Sequence, residues 1–396
     1  MNIRSLPLYS AVALLCFAAA GCNTTTVKTT EHESIVAETI PTPEDLLLDV
    51  GVGIFDPGID PSKGPEEGVF PKIRAAESRF MPYRLMEALQ TSGNWGAVRV
   101  IPDRLSEMDV WVDAEILKSD GENLWLEVTV EDSTGRHWYT KKYTEVASKY
   151  SYDNELPTRM EPFQGIYNQI ANDMLEFRQR LNPSELKAIR VVSELKFARE
   201  FSPELYSDHL EVDSRGRHQI KRLPADNDPI LSEIRQIRER DYMFVDTLQE
   251  YYGSFARQME EPYRDWREAF YIESQDLRKV RSDANTRLIG GALAVLAGIL
   301  AQGSDSNIAR SAGWVGIGAG ATAVMSGLNK REEAKIHVEA LEEISSNLDS
   351  EIAPHTMTLE NRTVTLTGTV NEQYQQWRAI LKELYRAETG QVPAGT

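Results

Sequence analysis

The sequence predicts an α+β protein: an N-terminal α/β sandwich, a long helical middle, a glycine-rich helical hairpin, and a small cap of one β-hairpin and a helix at the C-terminal end. Three observations predict it. Apolar residues alternate over short stretches between residues 45 and 143, the period of half-buried strands. From residue 166 to 270 they recur every three or four positions, the period of an amphipathic helix. Two nearly uncharged runs rich in Gly and Ala follow, at 288–301 and 309–328. With 396 residues, 41% of them hydrophobic, the chain has enough apolar material for two or three folded domains. Sixty-one acidic residues against 43 Lys and Arg leave a formal charge of −18, which repels phosphate backbones, so nucleic acid is not an expected partner.

The first element is an address. One basic residue, Arg4, precedes an apolar stretch over 6–20 and then Ala19-Ala20-Gly21-Cys22. Residues 1–21 read as a bacterial lipoprotein signal peptide, whose small residues fit a peptidase cleft and whose following thiol, on Cys22, is the nucleophile that receives diacylglycerol. An N-terminal transmembrane helix would need about 20 apolar residues. Residues 22–40 read instead as a polar tether. Of the two cysteines, Cys16 leaves with the peptide and Cys22 becomes the anchor, so no disulfide or zinc thiolate set is expected. Resemblance to lipoproteins sorted by the residue after the cysteine, here Asn23, implies the periplasmic face of the outer membrane.

Residues 41–155 form the predicted α/β domain. Residues 45–54 are a strand candidate between Pro41 and Pro43 on one side and Asp56-Pro57-Gly58 on the other, with Leu48, Val50, Val52 and Ile54 on one face. Leu85, Met86 and Leu89 mark a helix over 80–91. Strands follow at 97–101, 110–117, 124–130 and 137–143, with Gly121-Glu122-Asn123 and Asp132-Ser133-Thr134-Gly135 as turns. The order of strand, helix, strand and three-strand meander gives a sheet with one helical layer. Gly51 and Gly53 in the first strand mark a bulge or a close backbone approach.

The helix and short strand, the Asp-Val-Trp-Val-Asp-Ala strand, and the stretch from Leu126 to Trp138 carry a resemblance. They look like the periplasmic domain shared by the curli-secretion lipoprotein CsgG, the peptidoglycan-synthase activator LpoB and the N-terminal domain of TolB, over under a third of the chain. The most specific piece is the aspartate, turn, Gly135, basic residue and Trp138 run. Its roles are structural: Gly135 permits a positive φ, and Trp138 covers the sheet.

Residues 160–287 form the predicted helical region. Ile166, Ile170, Met174, Phe177 and Leu181 make one stripe, and Asn182-Pro183-Ser184-Glu185 then restarts a helix with Asn182 as N-cap and Glu185 reaching back. Leu186, Ile189, Val192 and Leu195 are its apolar set. Residues 201–228 read as a connector or small hairpin turning at Asp213-Ser214-Arg215-Gly216. A long helix follows, with Ile230, Ile234, Ile237, Val245, Leu248, Tyr252, Phe255, Met259, Trp266 and Phe270 as its stripe and Pro262 as an expected kink. That stripe predicts helix-on-helix packing, against the earlier helices or between subunits.

Residues 288–328 read as a glycine-zipper hairpin, resembling the two-helix segment of some outer-membrane lipoproteins. Gly290, Gly291 and Gly298 in the first run, and Ala312, Gly316, Gly320 and Gly327 in the second, are the candidate membrane or oligomer contacts, because small residues every four positions let backbones approach. Three readings stay open. A buried core hairpin suits the first run, which at about 15 residues spans about 22 Å and is short for a bilayer. Membrane insertion, alone or as an oligomeric ring, suits the second. Partner docking is the third. Gly316-Ile317-Gly318-Ala319-Gly320-Ala321 also matches a dinucleotide fingerprint, but no strand precedes it and no βαβ unit surrounds it.

Residues 332–396 give a charged helix over 336–352, a hairpin from 356–359 and 363–370, and a closing helix carrying Tyr374, Trp377, Ile380, Leu381 and Leu384. No catalytic motif and no Cys/His metal spacing is present, and the six histidines, His32, His137, His209, His218, His337 and His355, are scattered over different elements. No enzyme activity, metal, cofactor or small-molecule substrate is therefore expected. The expectation is a lipid-anchored structural, assembly or secretion-associated envelope factor, bound to the outer membrane and to an envelope protein partner or to itself. An activator of a peptidoglycan synthase and a periplasmic hydrolase are the alternatives.

Overall fold

The computed structural model describes residues 33–59, 70–102, 104, 107–152, 161–300, 343, 355–359 and 362–389. The fold is α+β. Strands β1 (Val50–Gly53), β2 (Val98–Ile101), β3 (Val110–Ser119), β4 (Asn123–Asp132) and β5 (His137–Val146) make one mixed sheet in the order β2-β1-β3-β4-β5. β1 runs parallel to both neighbours, and β3, β4 and β5 form the expected meander. The first strand is shorter than its alternation predicts, because Glu44–Leu46 forms a 3-10 turn on the Pro43 carbonyl (Leu46 N–H to O, 2.9 Å). The two glycines of β1 serve close approach. A Cβ on Gly51 would meet Met108 Cγ at 2.8 Å, and one on Gly53 would meet Asp113 Oδ1 at 2.6 Å.

One face of the sheet, built on Val50, Val52, Val110, Val112, Ile116, Leu126, Val128 and Val130, is fully buried. Helices α1 (Pro71–Ser92) and α2 (Gln164–Gln179) cover it, as a single helical layer. The other face carries Glu115, Trp125, Glu127 and Lys142, with Trp125 between the ammonium groups of Lys118 and Lys142. Helix α1 starts nine residues before its apolar spacing suggests, with Pro71 at its first position. Its early turns are polar, but Arg74 and Glu77 are buried and paired, which periodicity does not register. Trp138 donates its indole N–H to Asp132 Oδ2 (2.9 Å) and stacks on Phe177, and Gly135 has the expected positive φ of 78°.

Helix α3 (Pro183–Phe201) begins with the predicted capping box. Asn182 Oδ1 accepts from the Ser184 and Glu185 N–H groups, and Glu185 Oε2 accepts from the Asn182 N–H at 3.0 Å. The connector is a hairpin of β6 (Leu210–Val212) and β7 (His218–Ile220), turning at Gly216. Helix α4 (Pro229–Leu300) then runs for 72 residues. Its stripe from Ile234 to Trp266 is buried against α1, α3 and β2, so the expected helix packing is met inside the chain.

The boundary between the helical region and the glycine-rich segment at 287/288 falls inside one continuous helix. Gly290, Gly291 and Gly298 lie in the last turns of α4, which also continues through Pro262. Residues 271–287 change in composition but carry neither a capping glycine nor a proline, and composition alone does not end a helix. Ala312, Gly316, Gly320 and Gly327 lie outside the described residues, as does the predicted helix over 336–352 except for Glu343, which is helical.

The C-terminal hairpin pairs β8 (His355–Leu359) with β9 (Arg362–Leu366). The second strand ends four residues early because Thr369 caps helix α5 (Val370–Glu388): its Oγ1 accepts from the Glu372 N–H while Glu372 Oε2 accepts from the Thr369 N–H. Tyr374 and Trp377 of α5 pack on Phe244 of α4, and Arg378 pairs with Asp241 and Glu200.

Two further arrangements go beyond the sequence reading. The last part of the expected tether is docked: Asn168, Asn172 and Asn94 exchange hydrogen bonds of 2.7–2.9 Å with the backbone of Glu33, Ser34, Val36 and Glu38. Glu38 also pairs with buried Arg178, which helps hold its carboxyl below the usual range against the desolvation that would raise it. The outer edge of β2 is closed by α4. Gln249 both accepts from the Val100 N–H and donates to the Val100 carbonyl at 2.9 Å, and Arg99 is bidentate to Asp246.

Candidate functional site

The only predicted lipidation residue, Cys22, lies outside the described residues, and so do four of the seven small residues named as membrane or oligomer contacts. The other three, Gly290, Gly291 and Gly298, share the C-terminal turns of α4. Among the described residues no helix is long and apolar enough to cross a membrane. Among the same residues no group of His, Cys, Asp and Glu is placed to hold a metal ion.

The structure brings together a set that sequence reasoning missed. Asp49 and Asp109 each immediately precede a strand, and the parallel register that pairs Val50 with Val110 sets the two aspartates side by side. Asp109 Oδ2 accepts the Asp49 N–H (3.0 Å), Asp49 Oδ1 accepts the Ala97 N–H (2.8 Å), and the Val110 N–H donates to the Asp49 carbonyl (3.0 Å). Both carboxylates thus satisfy backbone donors at the start of the sheet. They form the floor of a cleft of about 520 Å³ whose walls come from α3 and α4.

Arg238 of α4 reaches over this floor. Its Nη2 donates to the Glu107 carbonyl (2.9 Å) and Ser193 Oγ (2.5 Å), and its Nε donates to the Tyr242 hydroxyl (2.9 Å). Burial pushes the Asp109 carboxyl up, opposed by Arg238. Burial also pushes the Tyr242 hydroxyl up to about 12. The rim is a row of ion pairs: Lys187 with Asp45 at 3.0 Å, and Arg235 with both oxygens of Glu194 at 2.5 and 3.1 Å. Arg190 donates to the Glu44 carbonyl (2.7 Å).

The cleft is therefore an arrangement of matched charges. Its floor groups are committed to backbone, and its rim cations to carboxylates or a carbonyl. It holds α3 and α4 against the strand starts more than it presents an idle reactive group. A signal for its floor was legible: Asp-Val-Gly-Val at 49–52 and Asp-Val-Trp-Val at 109–112 repeat the same pattern, an aspartate before an apolar alternation. The wall cations were not legible, since they reach the cleft only through the packing of α3 and α4.

A second polar set lies beneath α4. Glu77 of α1 accepts from Ser119 Oγ and the Tyr263 hydroxyl, both at 2.6 Å, and burial pushes its carboxyl up. Beside it Arg267 is bidentate to Glu161 at 2.5 and 3.0 Å, with its guanidinium over the Tyr263 ring at 4.0 Å. These groups weld α4 to the sheet where the β3-β4 turn meets it; a Cβ on Gly121 would fall 1.8 Å from the Arg267 carbonyl oxygen.

Comparison with known protein families, with curated proteins and with solved structures finds no match to this chain.

Proposed function

We propose that the chain is a lipid-anchored scaffold or assembly factor of the envelope, held on the periplasmic face of the outer membrane through Cys22 and making its membrane or protein contact through the glycine-rich segment 288–328. The observation that carries this reading is the continuity of α4. One helix of 72 residues, about 108 Å at 1.5 Å per residue, joins the compact sheet domain to the first glycine-rich run without a break. Its welded part ends near Trp266 and Arg267, and Gln275 is within hydrogen-bonding distance of Glu122. Twenty-five helical residues, about 38 Å, follow Gln275 up to Leu300. A helix fixed at one end carries a docking segment at a set distance from the body, as a spacer does.

The docked strap supports a position close to the membrane. Among the described residues, hydrogen bonding to the body begins at Glu33, so at most residues 23–32 lie free between it and the acylated cysteine, and ten residues span at most about 36 Å. That reach is little more than half of what a tether free up to Thr39 would allow. It weighs against an activator that must cross the periplasm to a synthase.

The test uses the full-length chain extracted in neutral detergent. Light scattering is expected to show an oligomer, and Gly316→Leu with Gly320→Leu is expected to lower its mass. A wild-type monomer, or a variant with unchanged mass, removes the self-association on which the scaffold reading depends.

A further inference from the structure

The ion pairs at the rim of the cleft fix its walls but leave binding capacity inside it. Those walls are two facing helix stripes, in which Lys187, Arg190 and Glu194 of α3 oppose Arg235, Arg238 and Tyr242 of α4 at spacings of three and four residues. Arg238 is held from several sides. Its guanidinium lies over the rings of Phe197 and Tyr242, at 5.8 and 5.2 Å, and its Nη2 and Nε protons go to Glu107, Ser193 and Tyr242. The Nη1 group is left over. It is open to the cleft and has no hydrogen-bond partner among the described residues. Among the same residues no carboxylate is at ion-pair distance from the guanidinium, and Asp49 and Asp109 act on it only from longer range.

Arg190 is the second spare cation. It stands one turn before Ser193, whose hydroxyl receives Arg238 at 2.5 Å, so the two guanidinium groups share one part of the cleft. Arg190 gives one proton to the Glu44 carbonyl and, among the described residues, has no carboxylate at ion-pair distance. An opposite pole lies beside them. Glu239 lines the cleft and is exposed, and the cation one turn before it, Arg235, is already held by both oxygens of Glu194. Among the described residues Glu239 forms no ion pair. The balance of charge selects the ligand. Five carboxyl groups and four cations line the cleft, so its field does not favour a simple anion, while a simple cation would meet two unpaired arginines. A molecule carrying both signs meets neither objection. The volume of about 520 Å³ lies within the roughly 300–1,000 Å³ of small-molecule clefts and exceeds what a single ion fills.

We propose that this cleft binds a small zwitterion carrying an ammonium and a carboxylate, the end groups of a free amino acid or a short peptide. The carboxylate sits on Arg238 Nη1 and Arg190, and the ammonium on Glu239. The site is independent of the scaffold reading, since it lies between α3 and α4 and involves neither Cys22 nor residues 288–328. Binding completes the hydrogen bonding of Arg238 without breaking the contacts that already hold it.

The experiment is isothermal titration of the full-length chain in neutral detergent with L-alanyl-L-alanine, its N-acetyl form and its C-terminal amide. The free dipeptide is expected to bind saturably and about tenfold or more tighter than either blocked form, since each of those loses one charge-assisted contact. Glu239→Gln is expected to abolish the preference over the N-acetyl form, and Arg190→Gln to reduce the preference over the amide. Neither side chain is fully buried, and thermal melts matching the wild type check that both variants keep the fold. A further arm uses L-alanine: binding as tight as that of the dipeptide assigns a free amino acid, and weaker binding assigns a peptide. Three results overturn the proposal: no saturable binding of either alanine or the dipeptide, blocked forms that bind as tightly as the free one, or variants that keep the wild-type preferences.

Discussion

Replacing Arg267 by Met tests how much the seam beneath α4 depends on its ion pair. Arg267 and Glu161 expose only 2% and 5% of their side chains, and they share two hydrogen bonds. Met keeps much of the stem that packs beside Tyr263 and Phe163 but strands a carboxylate in the interior. Removing one partner of a buried pair costs about 3–5 kcal/mol, and the residual field of Arg84 at Glu161 places the expected loss near the lower bound, about 3 kcal/mol. The pH dependence gives the sharper reading. In the native protein burial would raise the Glu161 carboxyl, but Arg267 more than offsets this and holds it below its ordinary 4.5, so this pair stabilises above that pH and the gain is lost on acidification. Without Arg267 the burial effect prevails and the carboxyl moves up. The penalty is then small below about pH 4.5 and grows as pH rises toward neutrality. Urea denaturation of both proteins at pH 4.5 and 7 measures this, and Arg267→Met with Glu161→Leu should recover part of the loss at pH 7. A penalty below about 1 kcal/mol, or one independent of pH, refutes the assignment of Glu161 as a buried anion held by Arg267.

Gln249→Ala removes both hydrogen bonds to Val100 and should cost about 1–3 kcal/mol, with faster amide exchange at Val100 by hydrogen-exchange measurement; unchanged exchange would show that the edge is protected by something else. Gly121→Ala drives a methyl group into the Arg267 carbonyl and should destabilise by about 3 kcal/mol in a thermal or urea melt, since neither backbone can yield freely. Asn94→Ala with Asn172→Ala deletes four hydrogen bonds to the strap backbone, worth about 1 kcal/mol each, and one to the Glu33 carboxylate, so limited proteolysis should cut within residues 33–40 while the body stays intact. Resistance equal to wild type would mean that Ile35 and the Glu38–Arg178 pair suffice.

Much of the fold was legible because local chemistry and tertiary demand agree. The Asn182 capping box, the glycine turns at 135 and 216, and the apolar alternation of β3 and β4 act within a few residues of chain. What escaped notice depends on distant partners. The first turns of α1 look like solvated surface until Tyr263 and Ser119 arrive to meet Glu77. The strap looks like a free tether because Thr, Glu and Val carry no sign that three asparagines, at 94, 168 and 172, will line up along it. The segment boundary at 287/288 follows a change in hydropathy, whereas a helix ends only where its backbone bonds are interrupted. The Thr369 cap could have been read, since Thr and Glu stand three apart before an apolar run.

The clamp on β2 has a consequence for how copies of this protein meet. A sheet grows by accretion only along borders whose amide groups are idle, and a ribbon that lengthens without limit needs two such borders on every unit. Here Gln249 and the Arg99–Asp246 fork plug one side of the five-stranded sheet, leaving β5 as its other border. Adhesion between copies along the five-stranded sheet therefore terminates at a pair. In a crowded compartment, that one-sidedness turns a route to fibres into a dead end after a single encounter.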